Sequence, residues 1–282
     1  MIKIITTCND TYFYNLRRFF FVIEKIFTSY ELYVHGVNLC KHDLNYNIFK
    51  KKHVHLIKHN LNFKNFEHER GYCTNLRASS LYSCAKKSKK NDILVYLDIN
   101  SIVTKQFAIF LKNMNTDISI AIDENHPCYN KSKNSRWFWP QGPFLTPFYG
   151  VALGGVQVYR ISKNTINFLK QFSDMVSKKK LSWYADQEAL YLLYMKFKNI
   201  LNNKNIINQI TIGSKPNQYT LVFYKKGGAN NKFFDEYSYN VYKDNLTKNF
   251  RSLKNTSTFY KKVEKISLKK RLRLKIFNIF KI

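Results

Sequence analysis

The fold turns on one stretch, ILVYLDINSIV at residues 93–103. Ile93 to Leu97 is an unbroken apolar and aromatic run of strand length, with no polar alternation. Such a run belongs to a strand buried on both faces, as in a sheet covered by helices on either side. Asp98 and Asn100 follow at once, and apolar character returns at Ile102 and Val103. Ligands of open α/β sheets bind beyond the carboxyl ends of the strands, and that is where Asp98 and Asn100 stand.

Working outward, IKIITT (2–7) reads as a first strand, and residues 9–27 as a polar loop leading into a helix. ELYVHGV (31–37) and HVHLIKH (53–59) read as further strands. Residues 70–90 have helical spacing, with Leu76, Ser80 and Cys84 on one face and a lysine-rich end that suits a helix C-terminus. A short helix at 105–114 and a strand at 117–123 complete an alternation that predicts an α/β domain with a largely parallel sheet. Residues 125–150, with Trp137 and Trp139 among prolines and polar residues, read as a long functional loop. A strand and helix over 154–172 and a helix over 181–197 follow. No internal repeat is visible.

With 282 residues and 45% hydrophobic composition, the chain can bury a large core, and global disorder is excluded. No apolar run reaches transmembrane length, and MIKIITTCNDTYFYNLRR does not read as a signal peptide. Five scattered cysteines without a CxxC pair fit a reducing, cytoplasmic setting. The net charge of +29 points to an anionic partner. Lys, Asn, Ile, Phe and Tyr are abundant together, however, which AT-rich codons alone would produce.

Several segments, in order, resemble the GT-A fold nucleotide-sugar glycosyltransferases, family 8-like and related bacterial enzymes among them. LVYLDINSIV resembles their buried strand ending in Asp-x-Asp, GVALGGVQVYRISKNTINFLKQF the strand and helix that follow, and WYADQEALYLL their Asp-Gln helix. CNDTYFYNL resembles the loop that cradles the nucleotide base, and NLRASSLYSC the helix before the Asp-x-Asp strand. IGSKPNQ and FYKKGG resemble the end segments. The likeness covers roughly residues 1–230 and implies a Rossmann-like mixed sheet flanked by helices, with 231–282 as a basic helical extension.

The resemblance implies a donor site of Thr7, Asn9, Asp10, Tyr12, Arg77, Asp98, Asn100, Gly154, Gly155, Lys215 and Lys225, with Asp186 and Gln187 in catalytic or orienting roles. The chemistry asks for such residues. Charge builds on the diphosphate leaving group as the glycosidic bond breaks, and cations or a metal must meet it. Hard cations such as Mg or Mn take oxygen ligands, which Asp98 and Asn100 could supply. Asn100 offers only a neutral oxygen, and Phe223 or Tyr224 stands where many relatives carry a metal-binding histidine. Both departures point to reduced metal dependence, with Arg77, Lys215, Lys225 and Lys226 taking part of the load. No organic cofactor is expected. His53 and His55 share a strand face, but no cysteine or carboxylate completes a metal set, so a solvated strand edge is expected.

The C-terminal stretch from Arg251 to Ile282 holds eleven Lys or Arg and a single acid, Glu264. Leu268, Leu272, Ile276, Ile279 and Phe280 recur at helical spacing among the basic residues. Such a helix could lie on an anionic membrane surface or pack on the main domain. The reading that emerges is a transferase acting on a nucleotide-sugar donor and a glycan or lipid-linked acceptor, cytoplasmic or peripheral on the inner membrane face. Two others stand beside it: a basic nucleic-acid-binding protein, for which no recognition motif appears, and a relative that binds sugar nucleotide without turnover.

Overall fold

The run at 93–97 is the middle strand of a seven-stranded sheet in a computed structural model of the chain, which describes residues 1–40, 47–125, 151–181, 185–212 and 217–224. The strands are β1 (Ile2–Asn9), β2 (Glu31–Val37), β3 (Val54–His59), β4 (Ile93–Leu97), β5 (Ser101–Val103), β6 (Ile118–Ile122), β7 (Ala152–Arg160), β8 (Asn203–Asn205), β9 (Ile210–Ile212) and β10 (Val222–Tyr224). The helices are α1 (Phe13–Ile26), α2 (Phe66–Lys86), α3 (Lys105–Lys112), α4 (Lys163–Ser177) and α5 (Ala185–Phe197).

The large sheet has the order β3-β2-β1-β4-β7-β6-β8, and a small one the order β5-β10-β9. Strands β3, β2, β1 and β4 run parallel. β7 runs antiparallel to both β4 and β6, so the sheet is mixed, as the resemblance implies, rather than largely parallel as the alternation alone predicts. After β1 the chain builds outward to β2 and β3, then returns to place β4 on the other side of β1. The order therefore reverses between β1 and β4, and a crevice opens at their carboxyl ends.

Burial explains the apolar run. Leu94 and Tyr96 face a core with Ala78 and Leu81 of α2, Phe168, Leu169 and Phe172 of α4, and Leu190 and Leu193 of α5. Val95 and Leu97, equally buried, alternate to the opposite face. The phenyl rings of Phe27, just past α1, and Phe107 of α3 meet edge to face with centroids 6.4 Å apart. At the far end of the sheet, Asp92 pairs with the Met1 amino group at 3.1 Å and Lys3 at 3.5 Å, tying the start of β1 to the start of β4.

One helix begins earlier than the spacing indicates, and another follows its polar loop as expected. α2 starts at Phe66, because the Asn65 side chain accepts the His68 N–H at 2.9 Å and caps it. α1 starts at Phe13 after a single 3₁₀ turn, Asp10–Tyr12. On α2, Leu76, Ser80 and Cys84 are all buried, as their spacing indicates. Residues 126–150, with Trp137 and Trp139, lie outside the described residues, as do Lys215, Lys225, Lys226 and the 231–282 extension.

Candidate active site

Asp98 sits one residue past β4, held by its backbone. Its N–H donates to Gly155 O at 2.8 Å, and its carbonyl accepts from Ser101 N–H at 2.9 Å and from Ser101 Oγ at 2.6 Å. The side chain is about one-third exposed, which leaves it the accessible acid of the group. Tyr96, two residues earlier on the same strand face, donates its phenol hydrogen to Asp98 Oδ1 at 3.2 Å. With that hydrogen committed, Thr7 Oγ1 at the end of β1 turns its single hydrogen to Tyr96 Oη at 2.9 Å, with Cys73 O at 3.3 Å as the alternative acceptor. Neighbouring strands β1 and β4 are thus joined at the crevice by one hydrogen-bonded chain.

Arg77 of α2 is the hub. Its guanidinium is buried over the Tyr96 ring, 4.9 Å from the centroid, and Nε donates to Thr74 O at 2.7 Å. Nη2 lies 3.4 Å from Asp98 Oδ1, and Nε 3.3 Å from Asp186 Oδ2. Burial alone would lower the Arg77 pKa; the carboxylates of Asp186 and then Asp98 outweigh it and hold the guanidinium charged.

Asp186 enters from the first turn of α5 and is fully buried. Asn75 of α2 fixes that turn. Its Oδ1 accepts the Asp186 N–H at 3.1 Å, while its Nδ2 donates to Lys180 O at 3.0 Å in the segment leading to the helix. Burial pushes the Asp186 carboxyl up, Arg77 draws it back, and Asp98 pushes it up again, leaving it at about 6. Among the described residues no hydrogen bond of good geometry reaches either Asp186 oxygen, and the charge is met by Arg77. Gln187 follows it, also buried.

Gly154 and Gly155 of β7 make room for this ion cluster. A Cβ on Gly154 would run into Arg77 Nη1 and come within 2.6 Å of Asp186 Oδ2. One on Gly155 would lie 2.5 Å from Asp98 Oδ2 and 3.1 Å from Tyr224 Oη. The resemblance implies a place for these glycines in the donor site; the structure gives glycine a reason of its own, since the charged side chains occupy the space themselves.

The structure thus brings together Thr7, Arg77, Asp98, Gly154, Gly155 and Asp186. Asn100 is half-buried in the turn after Asp98. Asn9 is buried, and both ends of its amide serve the protein: Nδ2 donates to Glu69 at 3.0 Å, and Oδ1 accepts the Tyr12 N–H at 3.3 Å. Asp10 and Tyr12 are exposed at the crevice rim. Sequence reasoning missed Tyr96, Asn75 and the direction of Tyr224. Tyr96 was legible, since the period of a strand puts it on the Asp98 side.

As for a divalent cation, no group of three metal-binding side chains occurs among the described residues. Asp98, about one-third exposed, and Asn100, half-buried two residues on, carry side-chain oxygens of the kind that could share a cation with ligand phosphates, and they do not make a cage of the protein's own. His53 and His55 lie at edge strand β3, where His55 stacks on Tyr33 at 4.7 Å. His59 instead meets His35, Nε2 to Nδ1 at 3.0 Å. Burial and His59 lower the His35 pKa to about 3, so that ring is neutral at pH 7.

No protein-family model and no curated sequence matches the chain. Solved structures do. The galactosyltransferase LgtC, in complex with donor and acceptor sugar analogues, superposes with a TM-score of 0.54 at 14% identity, over 89% of this chain and 98% of that one. An active-site mutant of LgtC gives 0.54 at 13%, with the same coverage. The glycosyltransferase GlyE of Streptococcus pneumoniae TIGR4 gives 0.51 at 13%, over 84% of this chain and 61% of that one. At such identities the likeness is one of architecture, and the mixed seven-stranded sheet flanked by helices gives this chain the GT-A fold of glycosyltransferases.

Proposed function

We propose that the chain is a glycosyltransferase that moves a sugar from a nucleotide-sugar donor to a glycan or lipid-linked acceptor. One observation carries the reading. Arg77, Asp98, Asp186 and the Gly154–Gly155 pair come from four separate elements and meet at the carboxyl end of the β1/β4 switch point. That is the ligand crevice of an open α/β sheet, in a fold shared with an enzyme solved with donor and acceptor sugar analogues.

In the reaction the bond from the anomeric carbon to the diphosphate oxygen breaks, and the acceptor hydroxyl oxygen forms the new one. The proton lost by that hydroxyl balances the charge left on the departing nucleoside diphosphate. Arg77 supplies a fixed positive charge beside Asp98 and holds Asp98 and Asp186 at set positions. Asp186, buried against Arg77 in the first turn of α5, is assigned an orienting role at the reacting centre, together with Gln187, the next residue of that turn. A cation held by Asp98 and Asn100 would neutralise the leaving diphosphate, and the single carboxylate in that pair implies reduced dependence on it.

The test is a screen of UDP-, GDP-, CMP- and dTDP-sugars for binding and hydrolysis, with manganese and with chelator, on the native protein and Asp98→Ala. Binding of one nucleotide class, lost in Asp98→Ala, is the expected result. No binding of any sugar nucleotide, beside tight salt-sensitive binding of DNA or RNA, would overturn the reading in favour of the charge.

A further inference from the structure

Tyr224 is the one phenol of the site whose hydrogen has no protein acceptor among the described residues. Its oxygen is buried and, among the described residues, without a hydrogen-bond partner. A buried hydroxyl left unpaired costs roughly 1–3 kcal/mol, so a folded chain keeps one only where something else pairs it. Its position is not slack. β10 pairs antiparallel with β5, which sets Tyr224 opposite Ser101. Ser101 is in turn fixed to the Asp98 carbonyl by two hydrogen bonds. The register of the small sheet therefore delivers the phenol to the turn that carries Asp98 and Asn100.

The phenol and Asp98 Oδ2 flank a single space, the one a Cβ on Gly155 would fill, at 3.1 and 2.5 Å from that point. Tyr96 shows the contrast. Its phenol, on the other side of Asp98, is fully used by Asp98 Oδ1 and Thr7. Burial and the Asp98 charge keep the Tyr224 hydroxyl protonated at any working pH, so it offers a hydrogen and no charge. Its natural complement is an oxygen that only accepts. Phosphate oxygens are of that kind, whereas sugar and ribose hydroxyls can also donate and are served by the carboxylates.

Resting on the transferase reading, we infer that Tyr224 binds the nucleotide donor by donating its phenolic hydrogen to a diphosphate oxygen. The glycine at 155 is then required on both counts, to seat Asp98 and to leave the phenol a path to the ligand.

The experiment is calorimetric titration of UDP, GDP, CDP, ADP and dTDP, with manganese present, into the native protein and into Tyr224→Phe. Thermal melting of both proteins is the control. Phe keeps the ring and its packing and removes only the O–H. The expected result is a melting temperature equal to or above the native one, with nucleoside-diphosphate affinity weakened roughly ten- to hundredfold, the range for a hydrogen bond to a charged group. Affinity within fivefold of native, where the native protein binds, would overturn the role of Tyr224 and leave the transferase reading standing. No binding of any nucleoside diphosphate by the native protein would overturn both.

Discussion

At the scale of residues, Arg77 sets the electrostatics of the crevice. It lies between two carboxylates, 3.3 Å from Asp186 and 3.4 Å from Asp98, with its guanidinium out of solvent. Arg77→Ala would leave Asp186 buried beside Asp98 with no counter-charge, and losing one partner of a buried ion pair costs about 3–5 kcal/mol. Urea denaturation at pH 7 should show a loss of that order, with most of it recovered when Asp186→Asn is added. Asp186 itself makes a pH prediction. Its carboxyl is near 6 in the folded chain, against an ordinary 3.8. The folded state thus holds the proton more tightly than the unfolded one. Asp186 favours folding below about pH 4, and that contribution is lost as pH rises through about 6, a difference on the order of 3 kcal/mol. The stability of Asp186→Asn, measured from pH 4 to 7, should fall less with rising pH than that of the native chain. Parallel profiles would place the proton elsewhere.

The residues that decide this chemistry were legible to different degrees. Asp98 could be picked out from its place at the end of a buried strand, whereas Arg77 and Asp186 were singled out by the resemblance of their helices. Asn75 could not be picked out, since its task is to bridge two backbones, Asp186 N–H and Lys180 O, that are remote from it in sequence. Tyr224 was placed near the site by resemblance alone, and its burial and direction follow from pairing with a strand far back in the chain.

At the scale of elements, long patterned segments were readable and short ones were not. β2 occupies residues 31–37, as its pattern indicates, and β4 lies within its apolar run. β5, β9 and β10 have three residues each, too few to show a period, and exist because they pair with one another. The antiparallel sense of β7 also escaped notice, because a buried apolar strand reads alike in either direction. Helix α4 carries its start in its sequence. Ser162 accepts the Thr165 N–H at 3.2 Å, and the Thr165 hydroxyl is bonded by the Ser162 N–H at 2.7 Å, a reciprocal cap. Ser162→Ala should cost about 1 kcal/mol in denaturant unfolding, with donor affinity unchanged, since the cap lies at the end of β7 away from Gly155. A change in affinity would mean that α4 is coupled to the crevice.

At the scale of the whole molecule, two anion-binding explanations predict different footprints. The site explanation puts the ligand at one end of the sheet, where β1 and β4 finish and α5 begins. The charge explanation draws on +29 spread over the chain. Its densest described patch, the exposed Lys86, Lys87, Lys89 and Lys90, lies before the start of β4, at the opposite end of the sheet from Asp98. Hydrogen exchange separates them. A nucleoside diphosphate bound for transfer should slow exchange at Thr7–Asn9, Asp98–Ser101, Gly154–Gly155 and the first turn of α5, and leave residues 86–90 untouched. That pattern should persist in moderate salt, because a partly buried pair of charges is screened much less than exposed ones. A nucleic acid held by surface charge should instead protect the lysine turn, and the protection should fade as salt rises. Slowing at the lysine turn alone, with the Asp98 end unchanged, would show that the crevice, however well its ions are arranged, is not where this chain meets its anionic ligand.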